Sequence, residues 1–90
     1  MTIIYSYVFD NCVYNFKNKE NATASVAKQI EWILDKSLEE DYISEDMYKY
    51  YYEDFTSQID FPVGCSETIW VEDYTDCGNI KLYAGRLQDE

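Results

Sequence analysis

Glu31, Asp35 and Glu39 recur at every fourth residue. On a helix that spacing sets carboxylates in a row about 6 Å apart. Successive phosphates on one nucleic-acid strand have a comparable separation, so the row offers anions at nearly phosphate pitch. Glu40 and Asp41 extend it, and Glu45/Asp46 and Glu53/Asp54 add two clusters, about 12 Å apart if one helix carries both. The chemistry open to these nine acids is to stand in for phosphates in a groove built to grip a polyanion. A solvated acidic helix face has the same local pattern, so the weight rests on the whole block. Fourteen of the 18 acids lie between Glu31 and Asp76, opposed there by Lys36 and Lys49 alone, which gives that segment −12 in a chain of net charge −11. The same segment is rich in Tyr, Trp, Ile and Leu. Charge without hydrophobes makes a disordered tail, whereas charge with them makes a folded surface with a strong negative field.

The residue inventory excludes most catalytic sites. The chain has no His, which removes Ser-His-Asp and Cys-His nucleophile arrangements and most zinc sites. A single Arg and three scattered Gly provide neither a phosphate clamp nor a phosphate-cradling loop. Residues 73–78 place Gly at the sixth position of a calcium-type loop. Cys77 at the fifth and Ala84 at the twelfth, where a bidentate Glu is needed, argue against it. Paired carboxylates such as Glu39-Glu40 or Glu72-Asp73 do acid–base work only in a pocket that shifts one pKa. No enzymatic activity, cofactor or metal is therefore expected.

The elements that must position the acids are legible from periodicity. Residues 3–9 alternate, with Ile3, Tyr5, Tyr7 and Phe9 on one face and Ile4, Ser6 and Val8 on the other, which is strand chemistry. Asp10-Asn11 tolerates the positive φ of a two-residue turn, and residues 12–16 read as the return strand. Residues 17–21 are polar and break the pattern. A helix capped by Asn21 or Thr23 follows, with Val26, Ile30, Ile33, Leu34 and Leu38 as its apolar stripe and an end near Asp41-Tyr42. Ser44 caps a second helix, with Glu45 and Asp46 in the first turn where the helix dipole favours anions. Met47, Tyr48, Tyr51, Tyr52, Phe55 and Ile59 form its expected buried stripe. The chain's one Pro, in Phe61-Pro62-Val63-Gly64, stops it. Residues 68–71 and 80–84 read as strands and residues 88–90 as a fraying end. The expected fold is α+β: a small antiparallel sheet with two helices, in the order ββααββ.

Ninety residues bound a single acidic domain spanning 1–90. Ten Tyr, four Phe and two Trp supply the large buried areas a small core needs. So small a core leaves several Tyr exposed, and exposed Tyr is a common interface residue, so a homodimer is expected. Cys12, Cys65 and Cys77 are odd in number and lack metal-like spacing. With no signal-like start and no apolar run of about 18 residues, they indicate free thiols in the cytoplasm and no membrane partner. The acidity disfavours binding to DNA, RNA or anionic lipid, since only Lys17, Lys19 and Lys28 come near one another.

In size, acidity and Tyr-rich character the chain resembles the phage DNA-mimic anti-restriction proteins, those of the T-even phages most of all. The resemblance runs from MTIIYSYVFDN through SLEEDYISEDMYKYYYEDF. It is one of whole-chain character, because DNA mimics share charge geometry and no signature motif. It implies a homodimer in the host cytoplasm that occupies the DNA site of a modification-dependent, McrBC-type restriction endonuclease, with a nucleoid-associated protein as another possible partner. The nine acids come from spacing alone and are not carried over from the family. Two other readings stand beside this one. An interaction adaptor, such as a transcription regulator or antitoxin, would dock through Tyr50 and Tyr83, and a small enzyme or metal binder would use the carboxylates as ligands.

Overall fold

Period-2 alternation and β-branched or aromatic residues put Thr2–Phe9 in strand β1, which returns through a two-residue turn into β2, Cys12–Phe16. The turn residues Asp10 and Asn11 have φ of 53° and 62°. Positive φ at both positions is the conformation whose twist matches paired strands, and Asp and Asn adopt it more readily than most residues. The register pairs Phe9 with Cys12 and Tyr5 with Phe16. Tyr7 and Phe9 are buried on one face of β1, as the alternation predicts. The structure is a computed structural model that describes residues 2–87, with the backbone alone at Leu87. Gln88, Asp89 and Glu90, expected to fray, lie outside the described residues.

Helix α1 spans Lys19–Glu39 and starts earlier than the sequence suggests. Asn18, not Asn21 or Thr23, is the cap. Its side-chain oxygen accepts from the backbone N–H groups of Glu20 and Asn21 at 2.8 and 3.2 Å. The polar run 17–21 is thus the cap and exposed first turn of a helix, where core packing imposes no apolar period. Ala22, Val26, Ile30, Ile33, Leu34 and Ser37 form the buried stripe. At the far end Glu40 is the C-cap, and Asp41 takes φ 60°. Tyr42 N–H donates to Ser37 O at 2.9 Å and Asp41 N–H to Leu38 O at 3.2 Å, the paired bonds that close a helix in a left-handed cap.

Helix α2, Glu45–Ser57, begins at Ser44, whose hydroxyl accepts from Met47 N–H at 3.3 Å. Its expected stripe is only partly buried. Phe55 alone is fully covered, Tyr48, Tyr51, Tyr52 and Ile59 are half-buried, and Met47 is 40% exposed. The helix lies against α1 and the loop carrying Tyr74, so its phenol tips reach water at the rim. Tyr51, Phe55 and Tyr74 pack ring against ring at 4.9–5.9 Å.

Strands β3, Ser66–Ile69, and β4, Ile80–Leu87, complete an antiparallel sheet of order β2-β1-β4-β3. β3 lies two residues earlier than the apolar run suggests, leaving Trp70 66% exposed. β4 runs three residues past Ala84 because β1 pairs with it along its length, from Val8↔Lys81 to Thr2↔Leu87. The order ββααββ and the α+β class stand as the sequence predicts. One sheet face, with Tyr7, Phe9, Ile69, Ile80, Leu82 and Ala84, meets the helices in the core. Tyr7 sits in its centre, with its hydroxyl 2.6 Å from Ser25 Oγ and accepting from Gln29 Nε2 at 3.4 Å. The opposite face carries Ile4, Ser6, Val8, Val13, Asn15, Lys81 and Tyr83 and no acid, and none of the described elements packs over it. Among the described residues no helix is long and apolar enough to cross a membrane.

Candidate anionic interaction surface

All nine nominated acids, Glu31, Asp35, Glu39, Glu40, Asp41, Glu45, Asp46, Glu53 and Asp54, have exposed side chains. Two helices joined by a short link position them. The link runs from the Glu40 cap to the Ser44 cap, and α2 turns back along α1, so Tyr48 in the first turns of α2 meets Asp35 on α1. This reversal gathers Glu39, Glu40, Asp41, Glu45 and Asp46 at one end of the helical hairpin. Asp35 and Glu31 continue along the α1 flank beside Tyr48, while Glu53 and Asp54 lie about 12 Å further along α2.

Among the described residues the one ion pair is Lys19 Nζ–Asp60 Oδ1 at 3.9 Å, between exposed side chains. Such a pair contributes little in water. None of the nine nominated acids has an ion-pair partner there, so their field is not cancelled at short range. The row on α1 is not purely acidic. Lys28, Glu31, Trp32 and Asp35 line one shallow dent, because residues 28, 32 and 35 share the outward face by helical period. Lys36 Nζ lies 6.0 Å from the centre of the Trp32 ring, within range of a cation–π contact.

Two phenols report the local electrostatics. Burial pushes the Tyr48 hydroxyl up to about 12, helped by the nearby Asp35 carboxylate and by the charge of Glu31. Tyr74 is also pushed up to about 12, first by burial, then by the Tyr51 phenol packed against it, with the charge of Asp73 adding to it. In both cases the protonated phenol is the form that fits beside neighbouring acids.

A cleft of about 460 Å³ opens beside the acidic end, lined by Trp32, Lys36, Glu40, Tyr42, Glu72, Asp73, Tyr74, Thr75, Asp76 and Cys77. Glu72, Asp73 and Asp76 lie outside the nine acids that the helix spacing singles out. Tertiary bonds bring them there. The Ser37 hydroxyl donates to Tyr74 O at 2.9 Å, and Asn79 Oδ1 accepts from the N–H groups of Val71 and Glu72 at 2.8 and 2.9 Å. The Ser37 bond ties the 71–79 loop to the end of α1, and the Asn79 bonds close the loop on itself. No periodicity signals them; the one local cue is a polar Ser37 on an otherwise apolar stripe. The acids do not converge on a metal position: among the described residues no three His, Cys, Asp or Glu side chains are placed to hold an ion. All three cysteines are free.

The Tyr residues that an adaptor surface would use are not gathered in one place. Tyr50 is 66% exposed on the outer side of α2, whereas Tyr83 lies on the open sheet face. Comparison with known proteins finds no matching family model, no matching curated protein and no matching solved structure.

Proposed function

We propose that the protein is a stoichiometric inhibitor that presents its acids as a phosphate mimic to the DNA-binding groove of a partner protein. The observation that carries this reading is the set of nine exposed acids on the helical hairpin, none of them ion-paired among the described residues, joined at one end by Glu72, Asp73 and Asp76. A groove lined with Lys and Arg gains from such a surface as it gains from DNA, by charge complementarity and release of counterions. The target class we propose is a modification-dependent restriction endonuclease of the McrBC type in a host cytoplasm, with protection of phage DNA as the outcome. A nucleoid-associated protein is a target of the same chemistry. The separation of Tyr50 from Tyr83 weighs against the adaptor reading. The experiment is a cleavage assay with purified McrBC-type endonuclease on methylated DNA, with this protein titrated at fixed salt. Inhibition near stoichiometry, relieved by excess DNA, supports the proposal. No inhibition at large excess removes that target.

A further inference from the structure

We propose that β2 is the dimerisation edge of the protein, pairing antiparallel with β2 of a second copy across a two-fold axis at Tyr14. The starting observation is an unprotected edge. β2 is an outer strand of the sheet, and its five residues Cys-Val-Tyr-Asn-Phe include no charge, no Pro and no Gly. Exposed sheet edges that stay monomeric are usually blunted by Lys, Pro or a bulge. The other edge strand, β3, is shorter and carries Glu67, and the neighbouring end of β4 is covered by the 62–64 segment, with Gly64 N–H donating to Ala84 O at 3.1 Å.

The hairpin geometry says which backbone groups are free. In a two-residue hairpin the flanking residues, here Phe9 and Cys12, exchange both hydrogen bonds. Alternation then points the N–H and C=O groups of Cys12, Tyr14 and Phe16 toward β1 and those of Val13 and Asn15 outward. An antiparallel partner centred on Tyr14 sets Val13 against Asn15 of the second copy, twice. Each outward donor meets an outward acceptor, and all five residues are used. Tyr14 faces its own copy at the non-hydrogen-bonded position, where side chains come closest.

The side chains favour a second copy as the occupant. Tyr14 and Phe16 are half-buried aromatics on the core face, with Tyr14 stacked 4.7 Å from Tyr7 and Phe16 6.2 Å from Tyr7. In this register Cys12 meets Phe16 and Tyr14 meets Tyr14, which continues that row across the axis. Just beyond the strand the register sets Lys17 of each copy beside Asn11 and Asp10 of the other, one complementary charge pair at each end. Two chains of net charge −11 thus join along strands that carry no charge. The eight-stranded sheet that results keeps both helical layers on one face, with the acids clear of the interface. This inference does not depend on the DNA-mimic reading.

The test uses the full chain. Sedimentation equilibrium should give a dimer for the wild type and a monomer for Val13→Pro, which removes an outward N–H the fold does not use, with the far-ultraviolet spectrum retained. Because that change also constrains φ, Val13→Lys serves as a second variant with the N–H intact and should shift the equilibrium toward monomer. Position is read by Tyr14→Cys with Cys12 and Cys65 changed to Ser. Oxidation should yield a covalent dimer, as facing non-hydrogen-bonded positions lie within disulfide reach. Ser66→Cys in the same background, at the other edge, should not. A wild type that is monomeric at every concentration, or a dimer that neither Val13 variant weakens and Tyr14→Cys does not cross-link, overturns the proposal.

Discussion

The triple substitution Glu31→Gln, Asp35→Asn, Glu39→Gln separates a functional acidic row from a merely solvated one, because stability and binding should move in opposite directions. The three carboxylates are exposed and without ion-pair partners among the described residues. They form two i,i+4 like-charge pairs, each costing about 0.2–0.5 kcal/mol. Removing both should stabilise the fold by roughly 0.4–1 kcal/mol, or about 2–8 °C in Tm for a domain of this size. Asn at 35 keeps a polar group of similar size beside the Tyr48 hydroxyl. If the row faces Lys and Arg of a DNA-binding groove, three exposed charge contacts at about 0.2–1 kcal/mol each are lost. Affinity should then fall by about 3- to 150-fold, and the salt dependence should flatten. The assay is a pair of curves: thermal unfolding by circular dichroism, and inhibition of methylated-DNA cleavage at two salt concentrations. A more stable protein that inhibits as well as wild type would refute the role of this row. A less stable one would refute the electrostatic account of the helix.

Further outcomes follow from single positions. Asp41 occupies the left-handed cap of α1 at φ 60°, where Gly carries no Cβ penalty, so Asp41→Gly should raise stability by about 1 kcal/mol in denaturant unfolding while weakening partner binding if that carboxylate is used. Tyr48 and Tyr74 have folded pKa values raised from 10.0 to about 12. The stability of their protonated state is fully present below pH 10 and is lost as pH rises through about 12; Tyr48→Phe, which cannot ionise, should reduce that alkaline loss in Tm measured from pH 9 to 12. Ile30→Ala removes a fully buried side chain from the centre of the α1 stripe and should cost about 2–5 kcal/mol in urea unfolding with little change in m.

The parts of the fold written in local periodicity were legible. The β1–β2 hairpin, the Ser44 cap and the apolar stripe of α1 follow from residue types within a turn or two of each other. The start of α1 was misplaced because Asn18 caps a first turn with only Ala22 buried, so the hydrophobic period begins a turn after the helix does. The burial of α2 falls short of its sequence pattern for a tertiary reason. Its Tyr stripe meets one helix and one loop instead of a sheet, and a phenol at a rim keeps its hydroxyl in water. At the candidate site the nine helix acids were found from spacing. Glu72, Asp73 and Asp76 have no such signal, since Ser37 carries that loop to the helix acids across more than thirty residues of chain and Asn79 only fixes the shape of the loop.

Charge density limits what one copy can imitate. The −12 of residues 31–76 is spread along a molecule whose long axis is 51 Å, which is at the sparsest one net charge per about 4 Å. A single nucleic-acid strand carries one per about 3.4 Å and a duplex one per about 1.7 Å. One chain therefore approaches the density of a strand and falls short of a duplex by a factor of at most about 2.5. Four strands spaced about 4.8 Å apart cross only about 15 Å, so the 51 Å axis does not run across the sheet. The proposed pairing along β2 would then add the second copy to the side and not end to end. To the extent that the two long axes overlap, the acids of both copies share one length and one face, and the spacing falls toward about 2 Å per charge. On the mimicry reading, a groove that closes on duplex DNA is matched by two chains side by side, and dimerisation sets the charge density that the groove meets.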